Sequence, residues 1–120
     1  MSLQIQTTRV EPDIVVVQLL GSITSGSENI VEPLVKDLLD QDEKKLIFDL
    51  TDVEQIDSTG ANIIIRCFLA ARKAGAGLRV GGARMVARVF KITRLDAVIP
   101  CYPTLAAACE GFTLTPGTSE

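Results

Sequence analysis

The sequence contains no histidine and no tryptophan, and it has one tyrosine and four phenylalanines among 120 residues. Without histidine the chain cannot form a Ser-His-Asp triad, a Cys-His pair, a histidine general base or a metal site that uses imidazole. Most common hydrolytic machinery is therefore excluded. The sequence predicts a protein that is not an enzyme and holds neither a cofactor nor a metal.

Cysteine is scarce, and the spacing of the three cysteines does not match that of a metal site. Cys67, Cys101 and Cys109 form an odd set without a C-x-x-C pair. Such a set is typical of reduced thiols rather than of a disulfide framework or a zinc site, and we interpret the three as small apolar fillers.

Long apolar runs are also missing. The longest, residues 14–20, is interrupted by Gln18, and the first residues lack the basic and apolar regions of a signal peptide. We expect a cytoplasmic protein that does not bind membranes.

Charge is divided unevenly along the chain. Residues 1–60 carry 4 basic and 12 acidic side chains, whereas residues 61–120 carry 8 and 3, for a net charge of −3. Because the protein is acidic and only 4% aromatic, it has few basic side chains to bind phosphates and few aromatic side chains to stack on bases. We therefore do not expect it to bind nucleic acid.

Hydrophobic periodicity predicts strands and helices that alternate in one domain. Strands are predicted around residues 3–7, 14–21, 45–50, 78–80 and 98–101, and helices over 27–38, 59–74, 84–95 and 103–110. Residues 51–58 are predicted to be a polar loop anchored by Val53 and Ile56, and Pro33 to kink or restart the first helix. Residues 1–112 would form the domain and 113–120 a flexible tail.

This order of elements predicts an α/β fold. Strands separated by helices imply parallel crossovers, so we expect a mixed sheet with an antiparallel first pair and parallel units after it, covered by about four helices. The continuous apolar run at 45–50 is expected at the centre of the sheet. Binding sites in such sheets lie at the carboxyl ends of the strands, which directs attention to the segment after Leu50.

That segment contains more helix-capping residues than a helix start needs. Asp57, Ser58 and Thr59 can each cap a helix, and Ala61 stands where Glu or Gln would complete a capping box with Ser58. Gly60 leaves the backbone beside Ser58 uncovered, which suggests a close approach by another molecule. The alternative is that Asp-Ser-Thr-Gly is only a cap and a turn.

The run Ile-Phe-Asp-Leu-Thr-Asp-Val at 47–53, followed by Ile-Asp-Ser-Thr-Gly at 56–60, resembles the STAS domains of the anti-sigma factor antagonist family. The resemblance implies that Ser58, next to Thr59, is phosphorylated by a partner anti-sigma factor that is also a serine/threonine kinase. It also implies that a serine phosphatase removes the phosphate. The unphosphorylated protein would sequester the kinase and so free a sigma factor for transcription.

One segment departs from that family's pattern. Many antagonists have Gly-Glu-Leu-Asp at the end of the second strand, whereas this sequence has Gly21-Ser22-Ile23-Thr24. Because the missing acidic residues lie near the family's partner contact, a stressosome-like scaffold or a regulatory module with a different partner stays open.

The helix after Ser58 predicts a further part of the contact surface. Ile65 and Leu69 fall beside its polar stripe, where they form an exposed apolar patch or are covered by a neighbouring helix. The predicted partner-binding residues are Asp57, Ser58, Thr59, Gly60, Asn62, Ile65, Leu69 and Thr24.

Two other classes of function are conceivable. A phosphoaspartate receiver would use Asp49, but receivers need an acidic pair after their first strand, and residues 14–24 contain no acid. A small metal-dependent enzyme would use Asp49, Asp52 and Asp57, since clustered carboxylates bind Mg²⁺.

Overall fold

The computed structural model describes residues 3–11, 13–82, 88, 91 and 94–113. Most of the helix predicted over 84–95, and the tail after residue 113, lie outside the described residues. The elements are β1 (Leu3–Val10), β2 (Ile14–Ile23), α1 (Glu28–Asp40), β3 (Lys45–Asp49), β4 (Val53–Ile56), α2 (Ser58–Lys73), β5 (Gly77–Gly81), α3 (Leu95–Val98) and α4 (Leu105–Thr113).

The strands form one mixed sheet. β1 pairs with β2 in antiparallel orientation, and β3 lies parallel between β2 and β5. β2 is long enough to pair with β3 through its first half and with β4 through its last residues, and the pairing with β4 contains a register shift between Gly21 and Ser22. The predicted antiparallel first pair and parallel remainder are confirmed.

Helices cover both faces of the sheet. Under α1 and α2, the apolar cluster includes Val17, Phe48 and Ile64, while Ile47 belongs to a second cluster that α4 completes with Phe112. Neighbouring residues of β3 thus enter different clusters, which explains its uninterrupted apolar sequence and its central place. About four helices were expected, and the described residues contain three of nine residues or more and the single turn α3.

Residues 51–58 were wrongly predicted to be a loop throughout. Val53 and Ile56 are 2% and 6% exposed, and they begin and end the four-residue strand β4. The exposed pair Glu54 and Gln55 between them hides the alternation that identifies a strand. β4 exists because the end of β2 offers it backbone partners, which is a contact distant in sequence.

Three smaller predictions also need correction. Val98 ends helix α3, and only Cys101 makes a strand-like bridge, with Val80. The last helix begins at Leu105 rather than residue 103, since the Thr104 hydroxyl accepts a hydrogen bond from the Ala107 amide at 3.1 Å and caps it. α1 passes through Pro33 as one helix, so no restart is found there.

The three cysteines are not joined in disulfides, and Cys67 is buried while Cys101 and Cys109 are half-buried. Burial in the core raises the pKa of the Cys67 thiol to about 12. In the described part of the chain, no helix has both the length and the apolar character needed to cross a bilayer.

Candidate functional site

The predicted site residues meet where β2 and β4 end side by side. Their parallel pairing puts Ile23 opposite Ile56, so the next residues, Thr24 and Asp57, are neighbours. The Asp57 amide donates a hydrogen bond to the carbonyl oxygen of Ile23 at 3.4 Å. Because α2 begins at Ser58, the acceptor candidate lies at the carboxyl edge of the sheet, as open α/β folds predict.

Asp57 is the residue that caps α2. Its backbone is extended, with φ −110° and ψ −174°, and its Oδ1 accepts a hydrogen bond from the Gly60 amide at 2.8 Å. Ser58 and Thr59 are exposed, and their hydroxyls have no hydrogen-bond partner within the described part of the chain. Of the three residues that can cap a helix, Asp57 therefore caps α2, and Ser58 and Thr59 keep exposed hydroxyls.

Gly60 has a different role from the one that its sequence context suggested. It is buried, and a Cβ atom there would clash with the carbonyl oxygen of Ile23. The molecule that approaches this glycine closely is the chain itself, so the interpretation that Gly60 leaves space for another molecule is wrong. Its lack of a side chain lets the first turn of α2 rest against the end of β2.

The turn between β2 and α1 holds Thr24 beside Asp57. The Thr24 amide donates to the Ser27 hydroxyl at 3.1 Å, and the Ser27 amide donates to the Thr24 carbonyl at 3.0 Å. Gly26 has φ +99°, which favours glycine, and its amide donates to the Glu28 carboxylate at 2.8 Å. Ser27 was missed as a site residue, because a serine before a helix normally predicts a cap and here it closes the turn instead.

The outward stripe of α2 consists of Ser58, Asn62, Ile65 and Leu69. At about 100° per residue these four positions fall within a narrow sector of the helix, and Leu69 lies about 16 Å along the axis from Ser58. Asn62 is exposed, Ile65 is half-buried against the core, and Leu69 is 49% exposed. Of the two predicted patch residues, Leu69 is the one that α2 presents to solvent.

The three carboxylates considered for a metal site have different partners. Asp49 is 5% exposed and accepts hydrogen bonds from the amide and the hydroxyl of Thr51, at 3.1 and 2.6 Å. Asp52 accepts from the Gln18 side chain at 3.1 Å, and Asp57 caps α2. The described residues contain no group of three His, Cys, Asp or Glu side chains placed to hold a metal ion.

A sequence model of the STAS domain matches residues 6–108. The chain belongs to the STAS domain family. The resemblance seen in the Asp-Ser-Thr-Gly segment is therefore confirmed.

Two proteins similar to this STAS domain are described as anti-sigma factor antagonists. A Thermotoga neapolitana protein, named as a homologue of the anti-sigma factor antagonist TM1081, is 31% identical over 75 residues, which are 62% of this chain and 66% of the relative. An anti-sigma factor antagonist from Mycobacterium paratuberculosis has a crystal structure that is 24% identical, with a TM-score of 0.77 over 92% of this chain and 93% of that one.

The antagonist SpoIIAA is a more distant structural neighbour at 14% identity. Its unphosphorylated form matches with a TM-score of 0.69 over 96% of this chain and 100% of that one. The phosphorylated form of the Bacillus protein matches with a TM-score of 0.68 over 91% and 99%. At these identities the likeness establishes the shared fold.

Proposed function

We propose that this STAS domain is an anti-sigma factor antagonist whose binding is switched by phosphorylation of Ser58. In the unphosphorylated state it sequesters a cytoplasmic anti-sigma factor that is also a serine/threonine kinase, which frees a sigma factor for transcription. A serine phosphatase returns the phosphorylated form to the binding state. The protein acts by binding and has no turnover of its own.

The observation that carries this proposal is the hydrogen bond from the Gly60 amide to the Asp57 carboxylate. A serine that caps a helix has its oxygen engaged by the backbone, whereas Asp57 takes that role here. Ser58 is therefore exposed at the first helical residue, where a kinase active site can reach its Oγ.

Ser58 is favoured over Thr59 as the acceptor because of its direction. Ser58 shares the outward stripe of α2 with Asn62 and Leu69, and Thr59 is rotated from it by about 100°. A partner docked on that stripe would meet the Ser58 hydroxyl directly.

Electrostatics make one phosphate sufficient to change binding. Phosphoserine adds about −1.5 to −2 charges at neutral pH. Against a partner carboxylate about 6 Å away, each unit charge costs about 3 kcal/mol at an effective dielectric near 20 before salt screening, which is roughly a hundredfold in affinity. The N-terminus of α2 favours negative charge, so the modified domain itself should stay folded.

The relatives support the proposal. Proteins described as anti-sigma factor antagonists share this fold, and SpoIIAA is described in both an unphosphorylated and a phosphorylated form. Two states of one relative that differ by a phosphate are what a phosphorylation switch requires.

A stressosome-like scaffold is the second candidate. Thr24, uncharged and half-buried beside Asp57, stands in the segment where many antagonists carry acidic residues. A different partner would fit this neutral edge. The two candidates share Ser58 and differ in whether the partner is a sigma-regulating kinase or another scaffold subunit.

Phosphorylation by a purified kinase-type anti-sigma factor tests the proposal. After incubation with ATP, fragment mass spectrometry should locate one phosphate on Ser58. Ser58→Ala should abolish the mass increase, and the matched control Thr59→Ala should keep it. A phosphate on Thr59, or none between Asp57 and Gly60 with any candidate kinase, would contradict the assignment.

A further inference from the structure

A groove of about 640 Å³ separates α1 from α2 on the face of the sheet that both helices cover. Its apolar lining comes from Pro33, Val35 and Leu39 of α1 and from Cys67 and Ala70 of α2. The two α2 residues are small, so the helices pack without filling the space between them. The volume is in the range of small-molecule and side-chain binding sites.

Most charges around the groove are already paired. Arg66 donates from Nε to the Glu32 Oε2 at 2.9 Å, and its Nη2 lies 2.8 Å from the same oxygen, which joins the two helices across the groove. Lys36 pairs with Asp40 at 3.1 Å. Glu28, which also lines the groove, accepts one hydrogen bond from the Gly26 amide and has no cationic partner among the described residues.

Proline contributes to the apolar part of the groove lining. Asn29 and Pro33 both line the groove. One end of the groove therefore offers a carboxylate, and its floor is apolar.

We propose that this groove binds a segment of the partner protein in which a lysine or arginine lies beside a large apolar side chain. The cation binds the Glu28 carboxylate, and the apolar side chain packs on Pro33, Leu39 and Ala70. Charge complementarity determines the choice, since Glu28 is the one charged side chain of the groove lining without an ion-pair partner among the described residues.

The groove and the Ser58 surface can serve one partner. Glu28 begins α1, directly after the turn that holds Thr24 beside Asp57. On α2, Arg66 and Ala70 line the groove, and they lie beside the outward stripe on the side of the helix that faces α1. The identity of the partner rests on the proposed function, whereas binding of a basic and apolar segment does not.

Two model peptides test the groove on the isolated protein. Acetyl-Lys-Leu-Leu-amide should shift the amide resonances of residues that line the groove, and acetyl-Glu-Leu-Leu-amide should bind about fivefold more weakly.

Glu28→Gln, a surface change, should reduce binding of the lysine peptide alone. Ala70→Leu should fill the groove and weaken both peptides about tenfold, whereas Ala74→Leu, exposed at the end of the same helix, should leave them unchanged. Equal binding of the two peptides, shifts outside the groove, or a folded Ala70→Leu that binds normally would overturn the proposal.

Titration with a kinase-type anti-sigma factor separates this proposal from the previous one. Ala70→Leu should weaken the complex about tenfold while Ser58 can still be phosphorylated at high kinase concentration. Unchanged affinity would overturn the groove as a partner site and leave the Ser58 switch standing. Peptide binding without phosphorylation of Ser58 by any candidate kinase would support the groove and contradict the switch.

Discussion

The carbonyl oxygen of Ile23, at the end of β2, lies against the α-carbon of Gly60 in the first turn of α2. This contact joins the sheet edge to the helix that carries Ser58. A methyl group at position 60 has no space, because the atom it would meet is backbone.

Gly60→Ala should therefore destabilise the protein although alanine is the better helix former. The gain in helix propensity is about 1 kcal/mol, and the clash forces a backbone shift that costs about 1–3 kcal/mol. We expect a lower urea midpoint and a net loss of stability, with Asn62→Ala, exposed in the same helix, as a control that changes little. A Gly60→Ala protein as stable as wild type would show that α2 can move off β2 without cost.

Loss of the Asp57 cap should be measurable separately. Asp57→Ala removes the acceptor of the Gly60 amide and should cost about 1 kcal/mol of unfolding free energy, while Asp57→Asn should retain most of it. Chemical denaturation of the two variants gives the comparison. If both lose stability equally, the charge of Asp57 rather than its hydrogen bond stabilises the helix start.

Substitution of Ser58 should separate folding from binding. Because Asp57 supplies the cap, Ser58→Ala should change stability by less than about 0.5 kcal/mol and keep the kinase complex. Ser58→Asp places a single negative charge at the helix start and should weaken the complex about tenfold, less than a phosphate does. Calorimetric titration measures both, and equal affinity of wild type and folded Ser58→Asp would rule out an electrostatic switch.

The exposed side chain of Leu69 predicts an apolar contact on the same helix. Leu69→Glu should leave the fold intact, since the side chain is 49% exposed, and weaken the kinase complex about tenfold. Thr8→Glu adds the same charge on the exposed side of β1 and serves as the control. A complex that tolerates both substitutions would limit the contact surface to the first turn of α2.

Burial of Cys67 predicts an unreactive thiol. Its pKa of about 12 keeps it protonated at pH 8, so iodoacetamide should modify it only after denaturation. The thiol loses its proton near pH 9 in the unfolded chain and near 12 in the folded one, so this group reduces stability as the pH rises between those values. Cys67→Ala should remove that part of the pH dependence. Rapid alkylation of the native protein at Cys67 would contradict the burial.

The local sequence pattern was sufficient to predict the elements whose residues all face apolar surroundings and those whose apolar residues recur with one regular period. The run at 45–50 predicted a central strand because β3 is covered on both faces, and the 3.6-residue period predicted α2. Pattern failed for β4, where two buried residues flank two exposed ones and the hydrogen-bond partner is the distant end of β2.

The candidate site divides in the same way. Three adjacent capping residues at one helix start, recognisable from residue types alone, identified Asp57, Ser58 and Thr59, and the runs at 47–53 and 56–60 identified the family that the chain belongs to. Only the tertiary structure decided which of these residues caps the helix and which hydroxyls stay exposed. It also decided that position 60 has space only for glycine. A capping side chain and an exposed hydroxyl differ only in the direction of the backbone at that residue. Here that direction is set by pairing with Ile23, more than thirty residues earlier in the chain.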